Sequence, residues 1–457
     1  MPEYIRQKFS SLLDHYVVVD LLLALVILTH IGVGDIRIVS LLGIFLCMVG
    51  FLQPPAPVDL WVLAPLVFYN IASMASSYKA YGNITDGYAS TQAIFIILYL
   101  VAAGLKDGEQ RLLKQGCVAW AGIGAFAGIC QFVGRVLFQQ RAWRAGGMLG
   151  NPNALGIFLV VGWFALLSLR FGQGEEGRCR AFPLLSMEPV ILIALALTLS
   201  MGSYMAMAAG ILVLALKKKG RSSWREAFPY VCGLLAKASL GIGTGLLIYL
   251  AAARTDVPFS CLLLLPYAAA LVCCWNRYQY FLTRRPRMAV LIAALGMAVA
   301  ITAIALRPSA VATFSERLEM MANGLGYFTK DPLLGVGPYQ WRALNLYDGD
   351  KYFNTWHIHN VLIHIGVELG WIAMAMLAAA AVRFYRKAPG AEEKAGLIAF
   401  YFHNMIDTSF FYLGVFALAL LALGKPGEKA RQAGAGLAKA TFAILLVVCV
   451  YHLASVL

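Results

Sequence analysis

Residues 186–216 read SMEPVILIALALTLSMGSYMAMAAGILVLAL, and the way this run divides decides the topology of the whole chain. A helix crosses the hydrocarbon core of a bilayer with about 20 apolar residues. The run is too long for one crossing and short for two. Met201-Gly202-Ser203 in its middle implies a tight re-entry, giving helices near 186–200 and 201–216. Further candidate spans lie near 16–33, 36–52, 58–77, 89–105, 116–137, 153–170, 229–252, 258–274, 288–306, 361–382, 396–424 and 437–457. The 396–424 run poses the same length problem and carries His403, Asn404 and Asp407. The expected fold is an all-α polytopic membrane protein with about 12 to 14 transmembrane helices and one large extracytoplasmic loop carrying short helices.

Composition agrees. Of 457 residues, 60% are hydrophobic and only 13% charged, against about 25% charged in soluble domains. The net charge of +14 sits in short blocks between apolar runs, which points to membrane topology and away from nucleic acid. Eight of the nine cysteines fall in apolar runs without metal or disulfide spacing, so they read as small packing residues. No cofactor or metal is implied. Met1 to His15 is polar and lacks a small-residue cleavage site before the first apolar run, which therefore reads as a retained helix.

Lys and Arg set the orientation. With the N-terminus in the cytoplasm, the inside loops hold Lys106, Arg111 and Lys114; Arg170, Arg178 and Arg180; Lys217 to Lys219, Arg221 and Arg225; Arg277, Arg284, Arg285 and Arg287; and Arg383, Arg386, Lys387 and Lys394. Most outside loops hold a single cation: Arg37, Lys79, Arg254. The split of 186–216 keeps this alternation in phase. The chain then reads as transmembrane helices over 1–306, an extracytoplasmic loop over 307–360 and C-terminal transmembrane helices over 361–457, within one integral membrane domain. Two outside segments break the rule. One carries Arg135, Arg141 and Arg144; the other, the long loop, carries Arg307, Arg317, Lys330, Arg342 and Lys351 among Glu316, Glu319, Asp331, Asp348 and Asp350. Cations kept on the disfavoured side suit the gripping of an anion, although a long loop also translocates regardless of charge.

Three segments carry chemistry. Gly150-Asn151-Pro152-Asn153 is turn chemistry, with Asn153 placed to cap the helix that follows and Arg144 just upstream. It is either an anion site at a helix start or a plain turn and cap. Phe314 to Leu318 opens an amphipathic helix with Met320 and Met321 on its apolar side, followed by the compact turn Asp331 to Pro338. Arg317 offers a two-pronged donor to phosphate, or pairs within the loop with Glu316 or Glu319. Trp356-His357-Ile358-His359-Asn360 opens the 361–382 run. His359 at the water–lipid boundary suits a general base, with Asn360 orienting the ring, or interfacial anchoring and capping. His364 and Glu368 continue one polar stripe into the apolar run, facing the protein interior.

These segments resemble the O-antigen ligase and polymerase family of bacterial envelope enzymes (the Wzy-C type). The resemblance rests on Gly150 to Asn153, Asp331-Pro332-Leu333-Leu334-Gly335-Val336-Gly337, His359-Asn360 with Glu368-Leu369-Gly370, and His403 to Asp407, and spans roughly 140–424. It implies metal-independent, inverting glycosyl transfer from an undecaprenyl diphosphate-linked glycan donor to a hydroxyl on a lipid or glycan acceptor. By resemblance His359 is the catalytic base and Arg317 holds the diphosphate. Asn153, Arg342, Asn360, Glu368, His403 and Asp407 are substrate-binding candidates, and Arg144 is one read from the residues themselves rather than from the resemblance. It also implies a bacterial cytoplasmic (inner) membrane location, with membrane lipids as partners. One position departs: the family has Arg then Gly after Thr-Leu-Ser, and here Met201 and Gly202 follow Thr198-Leu199-Ser200. The rival readings are a transporter of lipid-linked glycan without catalysis, and a receptor-like scaffold.

Overall fold

The computed structural model describes residues 3–53, 58–171, 184, 186–221, 223–254, 258–305, 308–347, 353, 355–424 and 435–457. Arg178, Arg180, Arg307, Asp348, Asp350 and Lys351 lie outside them, as do the side chains of Arg170, Arg221 and Arg254. Among the described residues the regular structure is helical, and the protein is a polytopic all-α membrane protein. Eight helices among the described residues are long and apolar enough to cross a membrane. Six shorter apolar ones of 10–17 residues accompany them, among them Met187–Thr198 and Leu413–Leu423.

The long runs divide where length required. Met187–Thr198 ends at Leu199, whose φ of 48° is left-handed, and Met201–Arg221 follows at once. The second long run becomes Ala391–Asn404, a turn through Ser409–Phe411, and Leu413–Leu423. The amphipathic loop segment is a single helix, Pro308–Lys330.

The chain forms two compact units. One comprises Met1–Lys114, Phe314–Pro389 and Asn404–Leu457; the other Gln115–Thr313 and Gly390–His403. In the first, Leu60–Tyr81 and Val361–Lys387 run antiparallel, tied at one end by Arg383 to Asp59 at 2.8 Å and at the other by Ser76, whose hydroxyl donates to the Glu368 carbonyl at 2.7 Å. Val361–Lys387 is interrupted at Gly370 (φ 85°). The interruption frees carbonyls inside an apolar helix, where an unpaired polar group is costly. The loop Asp331 to Pro338 fills that need: Val336 N–H donates to the Val367 carbonyl at 2.9 Å and Gly337 N–H to that of Glu368 at 3.0 Å, while Trp371 N–H reaches Pro332 at 2.8 Å. Lys79 clamps the same loop through Asp331 and the Gly335 carbonyl. Beneath it Met320, Tyr327, Trp341, Phe353, Ile358 and Val367 form one apolar core.

In the second unit a buried carboxylate joins four helices. Glu188 of Met187–Thr198 accepts from Trp163 of Pro152–Phe171 at 3.1 Å, Lys237 of Trp224–Arg254 at 3.1 Å, and Trp275 and Gln279 of Leu265–Arg284 at 2.7 and 3.2 Å. A carboxylate in apolar surroundings is tolerated on such terms, paired and fully hydrogen-bonded.

Candidate functional site

In the first unit the loop places His359 immediately before Val361–Lys387. Asn360 is the N-cap of that helix, its side chain accepting from Ile363 N–H at 3.1 Å. The cap fixes the chain direction at His359, so Asn360 acts on the backbone rather than on the imidazole ring. Asp407 arrives from the turn after Asn404. One of its oxygens accepts from Thr408 N–H at 2.8 Å. The other lies 3.7 Å from His359 Nδ1 and 3.4 Å from Arg317 Nη2. Arg317 also donates to the Ile406 carbonyl at 2.5 Å. Arg317, which the sequence offers to phosphate or else to Glu316 or Glu319 within the loop, here pairs with Asp407. The sequence candidates His359, Arg317 and Asp407 therefore meet around one carboxylate.

The 3.7 Å separation is an ion-pair distance, longer than a hydrogen bond. It becomes favourable when the imidazole is charged, and it leaves Nε2 as the ring's other edge. The His359 and Arg317 side chains keep 21% and 19% of their surface, enough to be reached from solvent.

Glu368 lies deeper, with no exposed surface. Its carboxylate accepts from the Tyr88 hydroxyl, Tyr339 N–H at 2.7 Å and Trp341 N–H at 3.1 Å. His364 lies between: Nδ1 accepts from Ile358 N–H at 3.4 Å, so Nε2 carries the proton and faces the Tyr88 hydroxyl at 2.9 Å and Glu368 at 3.4 Å. Glu368 and His364 thereby hold the loop through 339–341 and the His359 turn through Ile358. Sequence reasoning missed Tyr88 and Lys79, whose partners lie more than two hundred positions away in the chain, and Tyr339, whose N–H meets Glu368 29 positions on. It also passed over His357. That ring stacks on Phe411 at 4.1 Å and 13° and meets His364 edge-on at 4.9 Å. Burial, with His359 alongside, pushes its pKa down to about 3, partly opposed by Asp407.

Arg144 and Asn153 belong to the second unit. Arg144 donates to the Thr198 carbonyl at 2.8 Å, at the end of Met187–Thr198, and to the Asn153 side chain at 2.6 Å. A cation at a helix C-terminus is a favourable placement. The expectation that Asn153 caps the following helix is corrected: Asn151 is the cap, accepting from Asn153 N–H at 2.8 Å and Ala154 N–H at 3.2 Å. Pro152 takes the first helical position, where its missing N–H costs nothing, and that fixes the cap one residue earlier. His403 is fully buried near the end of Ala391–Asn404, and Asn404 accepts from Phe410 N–H at 2.6 Å. Arg342 packs its guanidinium over the Trp356 ring at 3.7 Å.

Helices of this kind, with a histidine, a carboxylate and an arginine gathered where a polar loop meets a helix start, define a polytopic membrane protein carrying a solvent-reachable acid–base cluster. Residues 190–378 match the family model described as O-antigen ligase. Over these residues, less than half of its length, the chain is similar to that family, as expected of a membrane glycan-processing enzyme. The match takes in Met201, the long loop, His359 and Glu368, while Arg144, Asn153, His403 and Asp407 lie beyond it. No curated protein matches the chain.

Proposed function

We propose that the protein transfers a glycan from a polyprenyl diphosphate-linked donor to a hydroxyl of a lipid or glycan acceptor, at the extracytoplasmic face of the bacterial inner membrane. The observation that carries this reading is the convergence of His359 and Arg317 on Asp407. His359 Nε2 takes the proton from the acceptor hydroxyl as its oxygen attacks the anomeric carbon. The bond from that carbon to the diphosphate oxygen breaks, the configuration inverts, and the diphosphate leaves on its lipid. Asp407 faces the imidazolium so formed and offsets its charge, while holding the ring by its Nδ1 edge. Arg317 keeps N–H donors beyond the two engaged by Ile406 and Asp407, and these suit diphosphate oxygens. Glu368 is a positioning residue for the loop, and no step requires a metal.

The test is transfer by purified, reconstituted protein from a polyprenyl diphosphate-linked glycan. His359→Ala is expected to lower kcat by about 10²–10⁴-fold, the usual worth of a general base. Asp407→Asn is expected to lower it less, because Nε2 is kept while the carboxylate facing the Nδ1 edge of the ring is lost. Near wild-type turnover by His359→Ala removes the base assignment. Movement of lipid-linked glycan across vesicles with no glycosidic product makes the protein a transporter.

A further inference from the structure

The loop's cations are held in different ways. Arg317 is tied to Asp407, and Lys79, which clamps the loop from outside, is tied to Asp331. Arg342 has no carboxylate partner among the described residues; its guanidinium lies on the indole of Trp356, 3.7 Å from the ring centroid. Stacking fixes the plane of the guanidinium while leaving its N–H edge outward. A carboxylate-paired arginine has spent much of its attraction for a further anion; a stacked one has not. The pair is rigidly founded. Arg342 belongs to Gln340–Tyr347, anchored by buried Trp341 and by Asn345, whose amide donates to the Phe353 carbonyl at 3.2 Å. Trp356 itself is 58% exposed, so much of the indole stays open to a ligand. It precedes His359 by three positions, a chain reach of at most ~11 Å, about two sugar rings from the proposed base.

We propose that Arg342 and Trp356 form a subsite for an acidic sugar unit of the glycan. The carboxylate lies in the guanidinium fork, and the C–H face of the sugar ring lies against the exposed part of the indole. A fork of two parallel N–H donors suits a carboxylate, and an aromatic body suits the apolar face of a pyranose. The subsite rests on the glycosyl-transfer reading above and adds to it a preference for anionic glycans close to the reacting hydroxyl.

The experiment reads binding rather than turnover. Full-length protein in phosphatidylcholine nanodiscs is titrated with a galacturonic acid trisaccharide and with its methyl ester, which has the same rings and no charge. The acid is expected to bind about tenfold more tightly, the scale of one charge-assisted contact. Arg342→Gln should abolish that difference while leaving ester affinity unchanged, Arg342→Lys should restore part of it, and Trp356→Ala should weaken both probes. Equal binding of acid and ester overturns the subsite, as does an acid preference that survives Arg342→Gln. Complete displacement of the trisaccharide by inorganic pyrophosphate, or by phosphatidylglycerol in the nanodisc, also overturns it, since the anion recognised would then be the carrier's diphosphate or a lipid headgroup. His359→Ala should bind both probes like the wild type. Transfer that survives in His359→Ala would remove the base assignment and leave this subsite standing. An inactive His359→Ala beside absent acid selectivity would remove the subsite alone.

Discussion

His357 shows how one ring sets the geometry of the next. It stacks on Phe411 and touches His364 edge-on, while Thr355 brackets it, donating its hydroxyl to the His357 carbonyl at 3.1 Å and accepting from its N–H at 3.4 Å. The turn that delivers His359 is therefore held by an aromatic contact, and the titratable groups facing it are His359, His364 and Asp407. Its pKa, about 3, lies below the ordinary 6.5. Between those values the unfolded turn binds more protons than the folded one, so stability rises with pH across that window. The contribution is complete above about 6.5 and is lost as pH falls toward 3. The protection factors of the amides in residues 355–360, that is exchange normalised to the intrinsic rate at each pH, are expected to be high at pH 7 and lower at pH 5. His357→Phe, which keeps the stack and cannot protonate, should remove that dependence and leave kcat at pH 7 within a few-fold. A pH dependence that persists in His357→Phe would assign it to another group.

At the scale of elements, the interruption of Val361–Lys387 organises the site. At Gly370 (φ 85°) an added Cβ would meet the Leu333 carbonyl, and at Gly335 (φ 68°) one would meet the Glu368 backbone. Loop and broken helix approach backbone to backbone, which only glycine permits. Gly370→Ala should destabilise the docked loop by about 1–3 kcal/mol from backbone strain alone, seen as faster proteolysis within 331–347 together with loss of transfer. In the second unit, Glu188→Gln would leave Lys237 charged and unpaired among apolar helices, at about 3–5 kcal/mol. Glu188→Gln with Lys237→Met should recover much of the lost thermal stability, and a double variant no better than the single would deny the pair its role. Sequence reading reached the elements unevenly. The division of 186–216 was legible because span length alone demanded it. The cap at Asn151 was within reach, since Pro152 favours the first helical position, but the reading settled on Asn153. The interruption at Gly370 was hidden in an unbroken apolar run, because what satisfies its carbonyls comes from Val336 and Gly337, some thirty positions away. The pairing of Arg317 with Asp407, ninety positions apart, left no local trace.

Over the whole molecule, charge and apolar length work together. The apolar helices demand lipid, while the Lys and Arg blocks between them decide which side each loop faces, because cations are retained on the cytoplasmic side. Phe314–Lys330, the greater part of the loop helix, and Val361–Lys387 belong to one unit, and the C-terminal ends of the two helices test this directly. Lys330 closes the loop helix just before the Asp331 turn, and Lys387 closes the helix that begins beside His359. If Val361–Lys387 spans the bilayer, as its 27 residues and apolar character allow, Lys387 lies on the face opposite His359. In a cysteine-free background, Lys330→Cys is expected to react with a membrane-impermeant maleimide in intact spheroplasts, and Lys387→Cys only after permeabilisation. The reverse pattern would put His359 on the cytosolic face. The proposed base would then face the compartment opposite the one where the acceptor and the displayed donor are proposed to meet, and the transfer reading would fail with its geometry intact.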